Sequence, residues 1–444
     1  MTTSVPAPDA APETIGADIS ELAGGLAARL AALHLVELAL DRRGGLEEAM
    51  EHKPFASLEP RDRGLARMLA MTLLRRLGAI DKALEAKLAK PPSDAAMMLL
   101  RLGAVQLLYL DVPAHAAINT TVQLAQRNRS TERYKNLVNA VLRGLDREPP
   151  PEPSAETYAP GWLFTRWSAA YGAEAAMAIA AMIPKEPATD LSLRDPATAA
   201  VLAEAIPAQP LPCGSLRVSE RGDVTAWSGY VEGQWWVQDA AAAIPARLLA
   251  VQRGESAIDL CAAPGGKTLQ LAAAGGAVVA LDRSAPRLRR LIHSLERTGL
   301  GADVVCANAE TWADERQFDA VLLDAPCSAT GTFRRHPDVL WGSSPSDIAK
   351  LAAVQNRLLD ASARRVKPGG RMVYCVCSLE REEGEDQITA FLKRHPDFAL
   401  SKVAAGEGGA PRASVGDAGW VRVLPHHIGG GMDGFFAARL LRAS

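Results

Sequence analysis

Two runs of apolar residues end in cysteine-bearing stretches, Asp324-Ala325-Pro326-Cys327-Ser328-Ala329-Thr330-Gly331 and Tyr374-Cys375-Val376-Cys377-Ser378. A thiolate is a strong nucleophile, so two thiols at neighbouring strand ends could present one substrate with covalent chemistry. Upstream stands Asp259-Leu260-Cys261-Ala262-Ala263-Pro264-Gly265-Gly266-Lys267-Thr268. Residues 257–260 predict a short buried parallel strand, and residues 268–274 the helix after it. Between them Pro264, Gly265 and Gly266 let the backbone turn sharply and approach a ligand, while the helix N-terminus offers unpaired N–H groups. The turn therefore reads as a nucleotide-cofactor loop lined by Cys261, Ala262, Ala263, Pro264, Gly265, Gly266 and Lys267. Its Gly-Gly-Lys-Thr ending looks like the tail of a phosphate-binding loop. The G-x-x-x-x-G-K-[ST] pattern, however, needs glycine where Cys261 stands, which disfavours a nucleotide triphosphatase.

The other predicted strand tips are polar as well. Residues 277–281 form the next apolar run and end in Asp282, where such folds bind ribose hydroxyls. A third run, residues 303–306, ends near Asn308, and a fourth, residues 318–323, ends in Asp324. Open α/β sheets bind ligands on this edge, so the set points to a nucleoside-bearing cofactor. Each acid taken singly could instead cap the helix that follows it.

With residues 261–267, with 324–331 followed by Arg334-Arg335-His336-Pro337, and with 374–378, the chain resembles the RNA 5-methylcytosine methyltransferases of the Sun (RsmB/NSUN) family. Leu424-Pro425-His426 and Asp433-Gly434-Phe435-Phe436 look like that family's last motif. Residues 61–88, 99–115 and 135–145 are similar to the NusB-like helical domain at the front of its bacterial RsmB branch. The resemblance runs from about residue 20 to the end.

It implies S-adenosylmethionine as cofactor, held by the Cys261 to Lys267 loop, Asp282, Asn308 and Asp324. Carbon 5 of cytosine is a poor nucleophile until a thiolate adds to carbon 6 and makes an enamine. The resemblance assigns that thiolate to Cys377 and assistance in product release to Cys327. Asp324 would contact the base edge and Lys267 would help polarise the site. A thiol of ordinary pKa, about 8.5, needs positive potential or a base to ionise at neutral pH, and Lys267 and the sulfonium are candidates. The family usually places Thr before the nucleophile, where this chain has Val376, and Cys375 offers a further thiol. Side chains alternate along a strand, so Cys375 and Cys377 would share a face, with Cys375 under the site and Cys377 at its tip.

Composition supports a large intracellular protein. Its 444 residues, 48% hydrophobic, can bury several cores, and no apolar stretch is long enough to cross a bilayer. The six cysteines form no disulfide framework, and no Cys-x-x-Cys or His pair completes a zinc site beside Cys375 and Cys377. Reduced thiols suit the cytoplasm. Cys213, Cys261 and Cys306 read as packing residues without a catalytic role. Net charge is only -2, yet residues 61–147 hold 15 Lys and Arg against 7 Asp and Glu. That local excess suits a phosphate backbone, although charged helix faces also serve simply for solvation.

These observations predict a multidomain chain. Residues 1–18, rich in Ala, Pro and Thr, read as a disordered tail rather than a signal peptide. An all-α NusB-like RNA-binding domain follows over 19–147, its first helix striped by Leu26, Leu30, Leu33 and Leu40 and ended by Gly44-Gly45. The prolines of Glu148-Pro149-Pro150-Pro151-Glu152-Pro153 make 148–158 a stiff linker. A small α+β module spans 159–233, with helices over 162–171 and 173–182 and strands over 191–193 and 215–218. Trp162, Trp167, Trp235 and Trp236 are candidates for base stacking or for the core. An α/β Rossmann-like methyltransferase domain occupies 234–444. Gln238-Asp239 opens a helix before its first strand, residues 346–366 form a long amphipathic helix bearing Leu351, Leu358 and Leu359, and Gly369-Gly370 lead into the strand of Cys377. The expected activity is methylation of cytosine carbon 5 in small-subunit ribosomal RNA by a monomer, without a metal or a membrane. Methylation of tRNA, or a non-catalytic role in RNA assembly, are the alternatives, the second leaving the cysteine pair unexplained.

Overall fold

Leucine spacing and proline punctuation organise the first part of the chain into helices. The computed structural model describes residues 25–41, 45–220 and 222–444; the expected tail over 1–18, and Gly44, lie outside them. The described residues form two compact units, one ending at Tyr158 and the other spanning Ala159–Ser444.

The first unit is all helical: α1 (Leu26–Leu40), α2 (Leu46–Met50), α3 (Pro60–Arg75), α4 (Leu77–Glu85), α5 (Asp94–Tyr109), α6 (Ala114–Arg127) and α7 (Lys135–Arg147). Helix α1 is apolar nearly all round and packs against α2, α3 and α5, as a central helix must. Of its predicted stripe, Leu26, Leu30 and Leu33 are buried and Leu40 is half-buried. Arg61, Arg63 and Arg67 stand exposed on α3, and Arg127, Arg129, Arg133, Arg143 and Arg147 are exposed along and between α6 and α7. Residues after α7 return to this unit: Glu148 pairs with Lys87 at 2.6 Å and Tyr158 is buried.

The second unit opens with α8 (Gly161–Tyr171) and α9 (Ala173–Ala180), then builds a small antiparallel sheet from β1 (Thr189–Leu193), β2 (Ala208–Pro210), β3 (Leu216–Val218) and β4 (Trp235–Val237), with α10 (Ala199–Ala205) between β1 and β2. Its strand order is β2-β3-β1-β4. Trp167, Trp235 and Trp236 are all buried, so these three are core residues rather than exposed stacking platforms. The expected helix at Gln238-Asp239 is instead a turn. Asp239 accepts from Ala241 N, and α11 (Ile244–Leu249) starts only where Pro245 supplies helical φ in its first turn.

The large sheet follows. Its strands are β5 (Ser256–Leu260), β6 (Ala277–Asp282), β7 (Asp303–Cys306), β8 (Phe318–Asp324), β9 (Val366–Val376), β10 (Phe398–Leu400), β11 (Val421–Val423) and β12 (Phe435–Arg442). Helices α12 (Gly266–Ala273), α13 (Ala285–Thr298), α14 (Val339–Gly342), α15 (Pro345–Ala363) and α16 (Glu385–Arg394) make the connections. The order is β10-β12-β9-β8-β5-β6-β7, with β11 paired to β12. β7, β6, β5, β8 and β9 run parallel, while β12 lies antiparallel to β9. This is a doubly wound, Rossmann-like sheet whose chain reverses direction of growth at β5 and β8, the place where such sheets bind ligands. The predicted long helix stops at Ala363, and Val366 belongs to β9, opposite Phe318. A register shift between Phe318 and Ala320 accommodates Gly369, whose φ is +74°.

Side chains alternate faithfully across the sheet. Ala257, Ala320, Leu322, Val373 and Cys375 enter one core, with Cys377 packed at its margin; Ile258, Val321, Leu323, Met372, Tyr374 and Val376 enter the other. The two sheets of this unit are tied by Arg217 of β3, which is buried, grips both Asp190 oxygens at 2.7 and 2.9 Å, and donates to the carbonyls of Gly429 and Gly431. Arg217→Met would strand the Asp190 carboxylate in the core, so it should lower the stability of the second unit by roughly 3 to 5 kcal/mol. All eight tryptophans belong to that unit, and their emission during urea unfolding reads the change directly.

Candidate active site

The loop between β5 and α12 is held by its neighbours. Cys261 adopts φ +64°, Ala262 N donates to Leu281 O, and Ala263 N donates to Asp282 Oδ2 at 3.1 Å. Gly265 has φ +116°, and a Cβ there would lie 2.4 Å from Leu291, so only glycine closes the turn onto α13. Thr268 Oγ1 donates to the buried Asp259 at 2.6 Å, fixing the first turn of α12. Burial drives the Asp259 carboxyl up to about 7. Burial, with Asp282 and Asp324 nearby, pushes the Cys261 thiol up to about 12, so this thiol stays neutral.

Asp282 ends β6 as expected. It is buried and already accepts from Ala263 N and Ser284 N, which fix both oxygens while leaving each a lone pair. Asn308 lies just beyond β7 and is exposed; its Oδ1 accepts from Glu310 N in a local turn. A pinned carboxylate at one strand tip, an exposed amide at the next and a glycine turn at a third fit a nucleoside with free hydroxyls.

The remaining candidates converge on the tips of β8 and β9. Lys267 reaches from α12 and donates to Asp324 Oδ2 at 2.7 Å, its ammonium 5.1 Å from the Phe435 ring centroid. Burial opposes the Lys267 charge, but Asp324 outweighs it and raises the pKa. Asp324 faces Cys375 across the β8–β9 ladder, and Cys375 Sγ lies 3.5 Å from Asp324 Oδ1. Cys375 is fully buried, and its thiol is pushed well up by burial and by Asp324. Cys377, one residue past the strand, is half-buried and places its sulfur 3.5 Å from that of Cys327. The Cys377 contact and then burial push the Cys327 thiol well up. Close packing holds the two stretches together: Gly331 N donates to Cys377 O, Gly434 N donates to Gly331 O, and a Cβ on Gly331 would lie 2.1 Å from Gly434 O.

Two cations attend Cys377. Lys267 and Arg335 both lie within charge-interaction range of its sulfur, each held by a carboxylate. Arg335 is itself anchored on the buried Asp433, whose carboxyl burial raises to about 6. Asp433 N in turn donates to Asp239 Oδ1.

Sequence reasoning missed Glu383. This fully buried carboxylate accepts from Ser328 N at 2.9 Å, from the hydroxyls of Ser328 and Ser378 at 2.5 Å each, and from Gln355 Nε2 at 3.0 Å. Its place in Glu380-Arg381-Glu382-Glu383 makes it look like part of a solvated charge run. The only signal was the serine that follows each thiol. Neighbouring Glu380 is gripped from α8 by Arg166 at 2.6 Å and Trp167 at 3.3 Å. Among the described residues no group of three or more His, Cys, Asp or Glu is placed to hold a metal.

Comparison with known proteins agrees with both folds. The family model for 16S rRNA methyltransferase RsmB/F matches residues 246–441, and that for the NusB family matches residues 26–147. The ribosomal RNA small subunit methyltransferase B of Shewanella oneidensis is 37% identical over 402 residues, covering 86% of this chain and 92% of that protein. Its namesake from Xanthomonas campestris pv. campestris is 36% identical over 442 residues, covering 95% and 98%. Among solved structures, PH0851 superposes with a TM-score of 0.75 at 24% identity over 94% of this chain and 98% of that one. A methyltransferase homolog protein from Pyrococcus horikoshii gives 0.53 at 26% identity over 63% and 93%. Methyl transfer of this kind draws on S-adenosylmethionine. The chain belongs to the RsmB/F family of 16S rRNA methyltransferases.

Proposed function

We propose that this methyltransferase modifies carbon 5 of a cytosine in small-subunit ribosomal RNA, working as a cytoplasmic monomer through a covalent bond between Cys377 and the base. The observation that carries this reading is the 3.5 Å contact between the Cys327 and Cys377 sulfurs, beside the Lys267–Asp324 pair. A single nucleophile would not require a second thiol in contact with it. The names of the relatives, which specify the small ribosomal subunit, support the choice of RNA.

When bound, S-adenosylmethionine supplies an electrophilic methyl group on its sulfonium. Cys377, partly exposed at the strand tip and flanked by Lys267 and Arg335, adds to carbon 6. Asp324, held by Lys267, meets the base edge as N3 gains proton character, so carbon 5 becomes an enamine carbon able to take the methyl group. Carbon 5 then loses its proton to water, the carbon–sulfur bond breaks, and its electron pair returns to Cys377. Cys327 assists this last step. Cys375 takes no part, because it is fully enclosed beneath Asp324.

Replacing Cys377 by Ala should abolish both methylation and any protein–RNA adduct. Replacing Cys327 by Ala should permit methylation but leave RNA attached, a band that a denaturing gel with labelled RNA resolves. An adduct in Cys377→Ala that is lost in Cys327→Ala would reverse the roles. Cofactor binding is tested at Asp282 by the isosteric Asp282→Asn, because alanine would also free the N–H groups of Ala263 and Ser284. The expected loss is roughly 1 to 3 kcal/mol in calorimetric affinity. On the helical unit, the triple change Arg61→Gln, Arg63→Gln, Arg67→Gln should weaken RNA binding and lower its salt slope by up to about three. An unchanged slope would remove α3 from the RNA path.

A further inference from the structure

We propose that Glu383 is the positioning residue of the thiol pair: one buried carboxylate, accepting from the residues that follow Cys327 and Cys377, holds the sulfurs in contact and keeps Cys327 as the thiol of the two. The inference rests on the covalent reading above and deepens it.

Geometry carries the first half. Ser328 and Ser378 each directly follow a site cysteine, and both hydroxyls donate to the same oxygen, Glu383 Oε2, at 2.5 Å. The other oxygen takes Ser328 N and Gln355 Nε2, and Gln355 Nε2 also lies 2.9 Å from Pro326 O in the Cys327 stretch. The carboxylate is itself immobilised, since Tyr374 Oη donates to the Glu383 carbonyl at 2.6 Å. One group thus spans the two stretches that bear the sulfurs, immediately beside each of them.

Charge carries the second half. All four donors to Glu383 are neutral hydroxyls and amides. Burying a carboxylate among neutral partners costs more than burying a glutamine, so a purely structural clamp needs no charge. Three groups face the Cys327 sulfur: Cys377 at the end of β9, Glu383 from the turn after it, and the Tyr374 hydroxyl of β9. Contact with Cys377, burial and the negative Glu383 favour the proton on Cys327 and outweigh the opposing backbone contact of Ala329. Cys377, by contrast, has the cations of Lys267 and Arg335 about it. Two thiols in contact are thereby made unequal. Cys327 S–H can donate to the sulfur of Cys377 as the carbon 6–sulfur bond breaks and the electron pair returns there. That interaction is stronger with the departing thiolate than with the thioether, so it accelerates release rather than binding.

Glu383→Gln keeps the volume and removes the charge. It should still form the adduct through Cys377 but release methylated RNA roughly tenfold more slowly. The pH profile separates this role from simple bracing. Release needs the Cys327 proton, so it fails as pH rises through that group's pKa. Removing the negative charge lowers that pKa, and the alkaline limb should move down. The limb should therefore lie at lower pH in Glu383→Gln than in the wild type, read from release rates across an alkaline pH series. An unchanged release rate and profile would overturn the proposal. Methylation by Cys377→Ala would instead sink the covalent reading, leaving no role for the pair. Should Glu383→Gln lose its native tryptophan emission, the double change Ser328→Ala, Ser378→Ala tests the geometry without touching the charge. Diamide, an azo oxidant that takes two hydrogens from two thiols, should join Cys327 to Cys377 in the wild type, seen as linked peptides by mass spectrometry. The double variant should do so roughly tenfold more slowly, and an equal rate would overturn the clamp.

Discussion

The parallel pairing of β8 with β9 is the constraint on which the site depends. Because the strands run in the same direction, their C-terminal tips open on one edge, and the register that sets Asp324 against Cys375 carries both cysteine stretches there together. The ladder continues past the strands through Ala325 N to Cys375 O and Gly331 N to Cys377 O. A slip of one residue would turn Cys375 and Cys377 to the opposite face and bury Tyr374 and Val376 in their place. Register is protected by the two cores, since each face of β9 fills a different one.

The same edge organises the electrostatics. Lys267 enters from α12, buried against Asp324, and Arg335 comes from the segment after Cys327, partly exposed and paired with the buried Asp433. Paired in this way, the cations keep their place near Cys377. Glu383 approaches the pair from the turn after β9, on the Cys327 side. Lys267 and Glu383 are both buried there, so differences in position set two chemically identical thiols apart.

Much of this was legible because strand tips are punctuated. The apolar runs ending in Asp282 and Asp324 became β6 and β8 with those same ends, since a buried parallel strand must be continuously apolar and must stop where a polar ligand-facing residue begins; the run ending in Cys306 became β7 at the sheet edge. The shared face of Cys375 and Cys377 followed from strand alternation alone. Local patterns failed where tertiary partners decide. Gln238 and Asp239 look like a helix start, yet Gln238 is spent on Gln270 and Asp239 also takes Asp433 N, both from elsewhere in the fold. β12 was not foreseen, because a strand buried on both faces, Phe435–Arg442, shows no alternation. Glu383 was hidden by its acidic neighbours. Glu382 points to Arg166 at the surface while Glu383, one residue on, turns inward; composition cannot tell the two apart.

The small sheet before the catalytic sheet also has a physical reason. The loops that carry Asp433 and Glu380 lie beyond strand ends and gain no ladder hydrogen bonds of their own. Arg217 of β3 takes the carbonyls of Gly429 and Gly431, Asp239 after β4 takes Asp433 N, and α8 grips the loop at Leu379 and Glu380 through Tyr171, Arg166 and Trp167. Both loops flank the thiol pair, one bearing the anchor of Arg335 and the other leading to Glu383. A Rossmann-like sheet provides rigid strand tips but leaves the segments between them loose. The preceding module supplies arginines and aromatic donors that fix those segments from the outside. Precision at the sulfurs therefore comes from two sheets, one that places the residues and one that stops their loops from moving.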